Sequence, residues 1–289
     1  MRTTSNPVFK NLSPQQQQGG GYAGFGSAAA GAGQFANQQY GQQPPQYPGY
    51  GYQQPPVPAT RPMTIDDVVT KTGITLGVVS ISAIIAYALV HANNALAAPL
   101  AIVGALVGLV LVLVASFGRK QDNPAIVLSY AAFEGLFLGS LSFMFTNVSF
   151  GGAGGSALIA QAVLGTFGVF FGMLVVYKTG AIRVTPRFTR MIVGALIGVV
   201  VLMLGNLIAS FFMDGGLGLR DGGPIAIVFS LVCIAIAAFS FLLDFDAADQ
   251  LIRANAPAKA AWGVALGLTV TLVWLYIEIL RLLSYFNND

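Results

Sequence analysis

Three carboxylic acids stand in surroundings that are too apolar for them. Glu134 lies in Tyr130-Ala-Ala-Phe-Glu-Gly-Leu-Phe-Leu-Gly, Asp244 closes the run Phe239-Ser-Phe-Leu-Leu-Asp-Phe-Asp, and Glu278 lies deep in Leu272-Val-Trp-Leu-Tyr-Ile-Glu-Ile-Leu-Arg. A charge in hydrocarbon costs about 3 kcal/mol or more unless it is paired, hydrated or protonated, so each acid is a candidate functional residue. Carboxylates that face a helix-bundle interior offer the oxygens and the charge that a hard cation such as calcium takes. Two nearby carboxylates also share protons, which makes cation occupancy sensitive to pH. The chemistry these residues suit is a proton-responsive path for cations.

Each acid also has a purely structural reading. Glu278 and Arg281 are three residues apart on one helix face and could neutralise each other. Glu134 could be protonated and bonded to a neighbouring helix, while Asp246 and Asp249 stand where their run meets water and could simply be solvated. Asn206 and Gln161 suit hydrogen bonds between helices.

Other chemistries are poorly supplied. The single histidine, His91, excludes a one-chain serine–histidine triad or histidine metal cage, and the single cysteine, Cys233, excludes a disulfide framework or cysteine cluster. The glycine clusters Gly151 to Gly155 and Gly215 to Gly218 lack a strand-to-helix setting and are turns rather than phosphate loops. Lys259 stands at the entrance of the last apolar run, not inside it, so a retinal-type Schiff base is not expected. Basic residues form no aromatic-interleaved block, so no nucleic-acid partner is expected. No enzymatic activity and no resident cofactor follow from this inventory; calcium is the one ion it suggests.

The elements that must hold these acids are membrane spans. The chain has 289 residues, of which 55% are hydrophobic and 9% charged, with a mean hydropathy of +0.71. Crossing the hydrocarbon takes about 20 apolar residues. Windows of that length run from Thr72 to Val90, Ala95 to Phe117, Ala125 to Thr146, Ala157 to Tyr177, Met191 to Met213, Pro224 to Leu243 and Ala261 to Phe286. Short breaks with turn residues join them, such as Arg119-Lys-Gln-Asp-Asn-Pro and Asn255-Ala-Pro. Seven spans with tight connections predict one all-α, polytopic bundle over residues 63–289. Thr64 and Asp67 have the spacing of a capping box that opens its first helix.

Residues 1–62 are rich in Gln, Gly, Tyr and Pro and carry no apolar signal-peptide core. They are expected to form a disordered tail, able to recruit protein partners, that stays in the cytoplasm. Lysines and arginines in alternate short breaks agree with that side: Arg61 and Lys71; Arg119 and Lys120; Lys178, Arg183, Arg187 and Arg190; Arg253 and Lys259. The opposite breaks hold only Arg220, flanked by Asp214 and Asp221. The expected topology is a multi-pass plasma-membrane protein in contact with lipid on all sides, its amino end cytoplasmic and its carboxyl end outside. Small-xxx-small pairs such as Gly104 and Gly108, Gly135 and Gly139, Gly168 and Gly172, Gly194 and Gly198, and Gly263 and Gly267 are expected to pack helices within the bundle.

Leu242-Leu-Asp-Phe-Asp, followed by Leu272-Val-Trp-Leu-Tyr-Ile-Glu-Ile-Leu-Arg-Leu-Leu, resembles the paired signature of the Bax inhibitor family, and Phe133-Glu-Gly-Leu-Phe-Leu-Gly is similar to its third span. With Met1-Arg-Thr-Thr-Ser-Asn-Pro-Val-Phe and Met63-Thr-Ile-Asp-Asp-Val, the chain looks like a bacterial, inner-membrane branch of that family. The resemblance implies seven helices with the last near the centre and a pH-sensitive calcium leak. It implies that Asp244 and Glu278 form the proton sensor and gate, as calcium ligands too, with Arg119 as a latch; beside that set, the residues themselves offer Glu134, Arg281 and Asp246 as accessory groups. The chain departs from the pattern in having Glu as its second acid and a longer stretch between the two.

Depth bears on that pairing. At 1.5 Å per residue, Asp244 lies about 30 Å along its helix from Pro224, near the cytoplasmic face, and Glu278 about 24 Å in from the same face. The two could meet if the sixth helix runs on past Asp244; otherwise Glu278 pairs with Glu134 or Arg281. Two further functional classes remain open at this point, a non-conducting membrane interaction or scaffold protein and a proton-coupled transporter, although no inverted repeat supports the latter.

Overall fold

A computed structural model describes residues 61–148, 155–213 and 215–286 of the chain. The expected disordered tail lies outside the described residues, apart from its last two positions. Seven helices follow one another: α1 (Ile65–Ala92), α2 (Ala97–Phe117), α3 (Pro124–Val148), α4 (Gly155–Thr179), α5 (Pro186–Ala209), α6 (Pro224–Arg253) and α7 (Ala261–Phe286). All seven are long and apolar enough to cross a membrane.

Helix ends follow from local chemistry. The Thr64 hydroxyl accepts from the Asp67 backbone N–H while the Asp67 carboxylate accepts from the Thr64 N–H, the reciprocal capping box expected from their spacing. Thr185 caps α5 by accepting from the Phe188 N–H, with Pro186 in the first turn where its missing N–H leaves no donor unmet. At one end of the bundle, α2, α4 and α6 stop in the same way. A backbone N–H reaches back five residues, from Lys120 to Ala115, from Ala181 to Val176 and from Ala256 to Leu251. The residue before each donor turns left-handed: Arg119 at φ 52°, Gly180 at 67° and Asn255 at 51°. Glycine and asparagine suit that conformation; arginine there is the strained choice of the three.

α7 is the central element. It is buried along its length and packs against α1, α3, α4 and α6, as the resemblance implied. Val264, Leu268, Leu272 and Leu275, in its first half, join Phe241 and Phe245 of α6 in one core cluster, while Val273, Tyr276 and Leu280 join Val79 of α1, Ala131 and Leu138 of α3, and Leu158 and Ala162 of α4 in another. By contrast, α5 packs chiefly on α6 and leaves Ile197, Val201, Leu204 and Ile208 exposed, which in a bilayer means facing lipid.

The glycine pairs divide by position. Cβ atoms at Gly104 and Gly135 would lie 2.7 Å from the Phe133 carbonyl and 2.5 Å from the Val79 carbonyl, so α2 and α1 each approach α3 at backbone distance. Among the described residues Gly168, Gly172, Gly194 and Gly198 meet nothing within 4 Å, so these two pairs on α4 and α5 pack against no other described helix. The expectation of intramolecular packing holds for the first two pairs and fails for those two, because α4 and α5 are the helices with most of their surface on the outside.

The strand-like segment Arg61–Met63 pairs with the α6–α7 connection. Pro62 and Pro257 form an antiparallel bridge, Met63 donates to the Ala256 carbonyl at 2.7 Å, and Ala258 donates to the Arg61 carbonyl at 2.8 Å. Lys71 adds a bond to the Ala258 carbonyl and stands over the Trp262 ring. Together with the Asp122–Lys259 pair, these contacts gather the start of α1, the α2–α3 turn and the α6–α7 connection at one end.

Candidate functional site: two polar stations along the central helix

The first station is a cavity of about 410 Å³ between the ends of α2, α6 and α7. Asp244 lines it, and Arg119, Gln121 and Asp122 line it from the α2–α3 turn. The Asp244 Oδ2 accepts from the Thr271 hydroxyl at 2.7 Å, and its Oδ1 faces Gly267 of α7, where a Cβ would lie 3.7 Å away. Small residues at Gly263 and Gly267 thus keep the α7 wall open in front of the carboxylate. Arg119 stands exposed at the rim, held there by the left-handed cap of α2, and forms no ion pair with Asp244. At the rim Asp122 pairs with Lys259 at 2.5 Å, and this hydrogen bond to the ammonium holds the Asp122 carboxyl below the usual carboxylate range.

Asp246 and Asp249 lie outside this cavity, on the part of α6 that continues to Arg253. Asp246 accepts from Gln250 at 2.6 Å, and Asp249 pairs with Arg253 at 2.7 Å and accepts from the Tyr177 hydroxyl. Both have partners on the outer turns of α6, consistent with their reading as solvated groups.

The second station lies further along α7. Glu278 is 1% exposed, and its Oε1 takes Arg281 Nη1 at 2.9 Å and Arg220 Nη2 at 3.6 Å. Its Oε2 is buried without a hydrogen-bond partner among the described residues, as is the Tyr285 hydroxyl nearby. Arg281 was the partner that spacing offered. Arg220, the second partner, has no such spacing to mark it: it comes from the α5–α6 connection, which folds inward. The Asn206 carbonyl oxygen of the side chain accepts from the Leu217 N–H at 2.9 Å, so Asn206 ties that connection to α5 instead of bonding another helix. Arg220 also touches Met203 Sδ at 3.3 Å. Burial lowers the pKa of Arg220 from its ordinary value, chiefly by desolvation, with Arg281 adding to the effect. The available signal was that a lone arginine in breaks otherwise free of basic residues faces an intramembrane acid.

Asp244 and Glu278 do not share one site. α6 does run past Asp244, as their meeting required, yet Thr271, the α7 residue bonded to Asp244, precedes Glu278 by seven positions, about 10 Å of helix rise. Calcium–oxygen distances are about 2.4 Å, so carboxylates at these two levels cannot ligate one ion in this arrangement. Among the described residues no group of three or more His, Cys, Asp or Glu could hold a metal. Glu134 is a third, separate acid. It is buried on α3 against α2, without an ion pair or hydrogen bond among the described residues, and fits because Gly108 is bare: a Cβ there would lie 2.7 Å from Glu134 Oε2.

Seven apolar helices, with α7 buried among the others and the acids Glu134, Asp244 and Glu278 on α3, α6 and α7, define a multi-pass integral membrane protein. Residues 6–288 match the model of a family described as Bax inhibitor 1 like, and the chain belongs to that family. It is similar to uncharacterized membrane proteins of Streptococcus pyogenes serotype M3 and serotype M1, each 31% identical over 196 residues that cover 64% of this chain and 73% of the relative.

Proposed function

We propose that the protein is a pH-sensitive cation leak channel, with calcium as the ion carried, in which intramembrane carboxylates gate the path. One observation carries this reading: Asp244 presents a carboxylate into a cavity that opens at the basic end, with one oxygen bonded to Thr271 and the other facing the space. A cation entering there meets a fixed negative charge with Arg119 at the rim. Further along α7, Glu278 is locked to Arg281 and Arg220. In this reading Asp244 is the entry and proton-sensing group, Arg119 is its alternative partner when the entrance closes, and the Glu278–arginine cluster is the barrier that must loosen for passage. The basic end faces the cytoplasm of the plasma membrane by the charge bias of its connections, with the carboxyl end outside.

The test is calcium entry into dye-loaded vesicles containing the full chain, at acid and neutral pH. Asp244→Asn is expected to remove the pH response, and Glu278→Gln to change the flux itself. A flux that ignores pH and both substitutions would overturn the assignment.

A second reading is favoured by the double pairing of Glu278: a non-conducting membrane protein whose acids only hold helices together and whose tail recruits partners. It predicts no calcium entry from the intact chain and loss of its cellular effect when residues 1–60 are deleted.

A further inference from the structure

A second cavity, of about 480 Å³, lies away from both polar stations. α1 and α4 each pack on α3 and α7, and the space between them is open on the outer side, where Ile84 of α1 and Val163 and Phe167 of α4 are exposed. The floor is formed by Leu138 and Ser142 of α3 and by Leu272, Val273 and Tyr276 of α7. The whole crevice lies within membrane-spanning segments, so whatever fills it comes from the bilayer.

Wall chemistry narrows the occupant. The Ser142 hydroxyl bonds the Leu138 carbonyl at 2.6 Å and the Tyr276 hydroxyl at 2.8 Å, and the Thr166 hydroxyl bonds the Ala162 carbonyl at 2.7 Å. These three hydroxyls are engaged with the protein; Ser80, Tyr87 and Ser156 supply the remaining hydroxyls of the lining, and every other lining residue is apolar. Apolar walls at this depth select a hydrocarbon.

Length narrows it further. On α1 the lining runs from Leu76 to Tyr87, and on α4 from Ser156 to Phe167. Each stretch is eleven rises of 1.5 Å, about 16 Å. One leaflet of a hydrocarbon core about 30 Å thick is about 15 Å deep. Both stretches occupy the half of the membrane on the His91 side, since α1 reaches that side at its end and α4 leaves it at its start. The crevice therefore has the depth of a single leaflet and ends near the midplane.

We propose that this crevice is a binding site for one acyl chain of a phospholipid from the leaflet on the His91 side. The chain enters sideways between α1 and α4 and lies against Leu272, Val273 and Tyr276. The bilayer thereby touches α7 directly, two residues before Glu278. The site does not depend on ion conduction and stands whether or not the protein is a channel.

The experiment uses the full chain in phosphatidylethanolamine–phosphatidylglycerol vesicles doped with a phosphatidylethanolamine that carries a photoactivatable diazirine midway along one chain. After irradiation, adducts are expected to concentrate on peptides containing Leu76–Tyr87 and Ile159–Phe167. Val163→Trp, which fills the crevice, is expected to reduce those adducts roughly tenfold, while Leu164→Trp, on the exposed face of α4 outside the crevice lining, leaves them unchanged. Thermal unfolding in detergent shows that each variant is folded; if Val163→Trp is not, Ser80→Phe fills the crevice from α1 and is read in the same way. Adducts spread evenly over exposed helices such as α5, or equal loss in the Val163 and Leu164 variants, would overturn the proposal. So would crosslinks showing the crevice filled by a second copy or by residues 1–60.

Discussion

Glu278 combines burial, one short ion pair and one longer one, and the three predict how its cluster responds to substitution. Removing one member of a buried pair leaves the other uncompensated, typically at a cost of about 3 to 5 kcal/mol. Arg281→Met leaves Glu278 buried with only the 3.6 Å contact to Arg220, so it is expected to destabilise by about 3 kcal/mol or more. Arg220→Met leaves the 2.9 Å pair in place and is expected to cost about 1 kcal/mol. Thermal or denaturant midpoints of the purified protein check the order; equal losses would mean that the two arginines act as one unit. The intramembrane acids were legible in the sequence because charge inside an apolar run stands out on its own. Arg220 was hidden because its role depends on a loop folding inward, and loop direction leaves no periodic trace. The pairing of Asp244 with Glu278, implied by resemblance, gives way in the structure to two stations, since helix register and not residue type sets which groups stand level.

At the level of elements, hydropathy located all seven helices but misplaced several ends. α1 begins at Ile65, where the Thr64–Asp67 capping box puts its start, seven residues before the apolar window opens at Thr72, and α6 continues to Arg253, ten residues beyond Leu243. Hydropathy reports where hydrocarbon ends, whereas the hydrogen-bond ladder continues as long as residues such as Asp246, Asp249 and Gln250 can hold a helix in water. α5 errs in the other direction: it ends at Ala209, and the apolar residues Phe211, Phe212 and Met213 belong to turns after it. Substitutions at helix contacts should follow the observed packing. Gly135→Ala and Gly139→Ala are expected to force α1 from α3 and cost about 1 to 3 kcal/mol each. Gly194→Ala and Gly198→Ala on α5 should be neutral or slightly stabilising, by up to about 1 kcal/mol. Unfolding midpoints of the four variants test this; equal effects would contradict the packing. The cap of α2 gives a further expectation. Arg119→Gly relieves the left-handed strain and should stabilise by about 1 kcal/mol in the same assay, while removing the charge from the rim of the cavity.

For the molecule as a whole, the basic end behaves as one surface. Asp122 and Lys259 tie the α2–α3 turn to the start of α7, and the Asp122 carboxyl is held below the usual range by that bond. A carboxyl depressed in the folded state stabilises it above the unfolded value, about pH 3.9, and that contribution is lost as pH falls through the lower folded value. Lys259 is 62% exposed and Asp122 34%, so screening keeps the pair below about 1 kcal/mol. Asp122→Asn is therefore expected to lower stability slightly at neutral pH and not at all in strong acid, as measured by unfolding across pH. A difference that persists or grows in acid would show that the pair is not its source. The global arrangement was legible in sequence as seven spans and one basic side; which helix sits centrally came from resemblance, because a chain that is apolar all round gives each helix no face to declare.

The bridge between Pro62 and Pro257 bears on the order of assembly. Its two halves are separated by nearly the whole bundle, so a growing chain has threaded six helices into the membrane before the partner of Arg61–Met63 exists. Domains fold as their sequence emerges, and contacts distant along the chain form late. The segment Arg61–Met63 therefore stays unlatched throughout synthesis and closes only when the α6–α7 connection arrives, so that residues made before any of the seven helices are among the last to find their place.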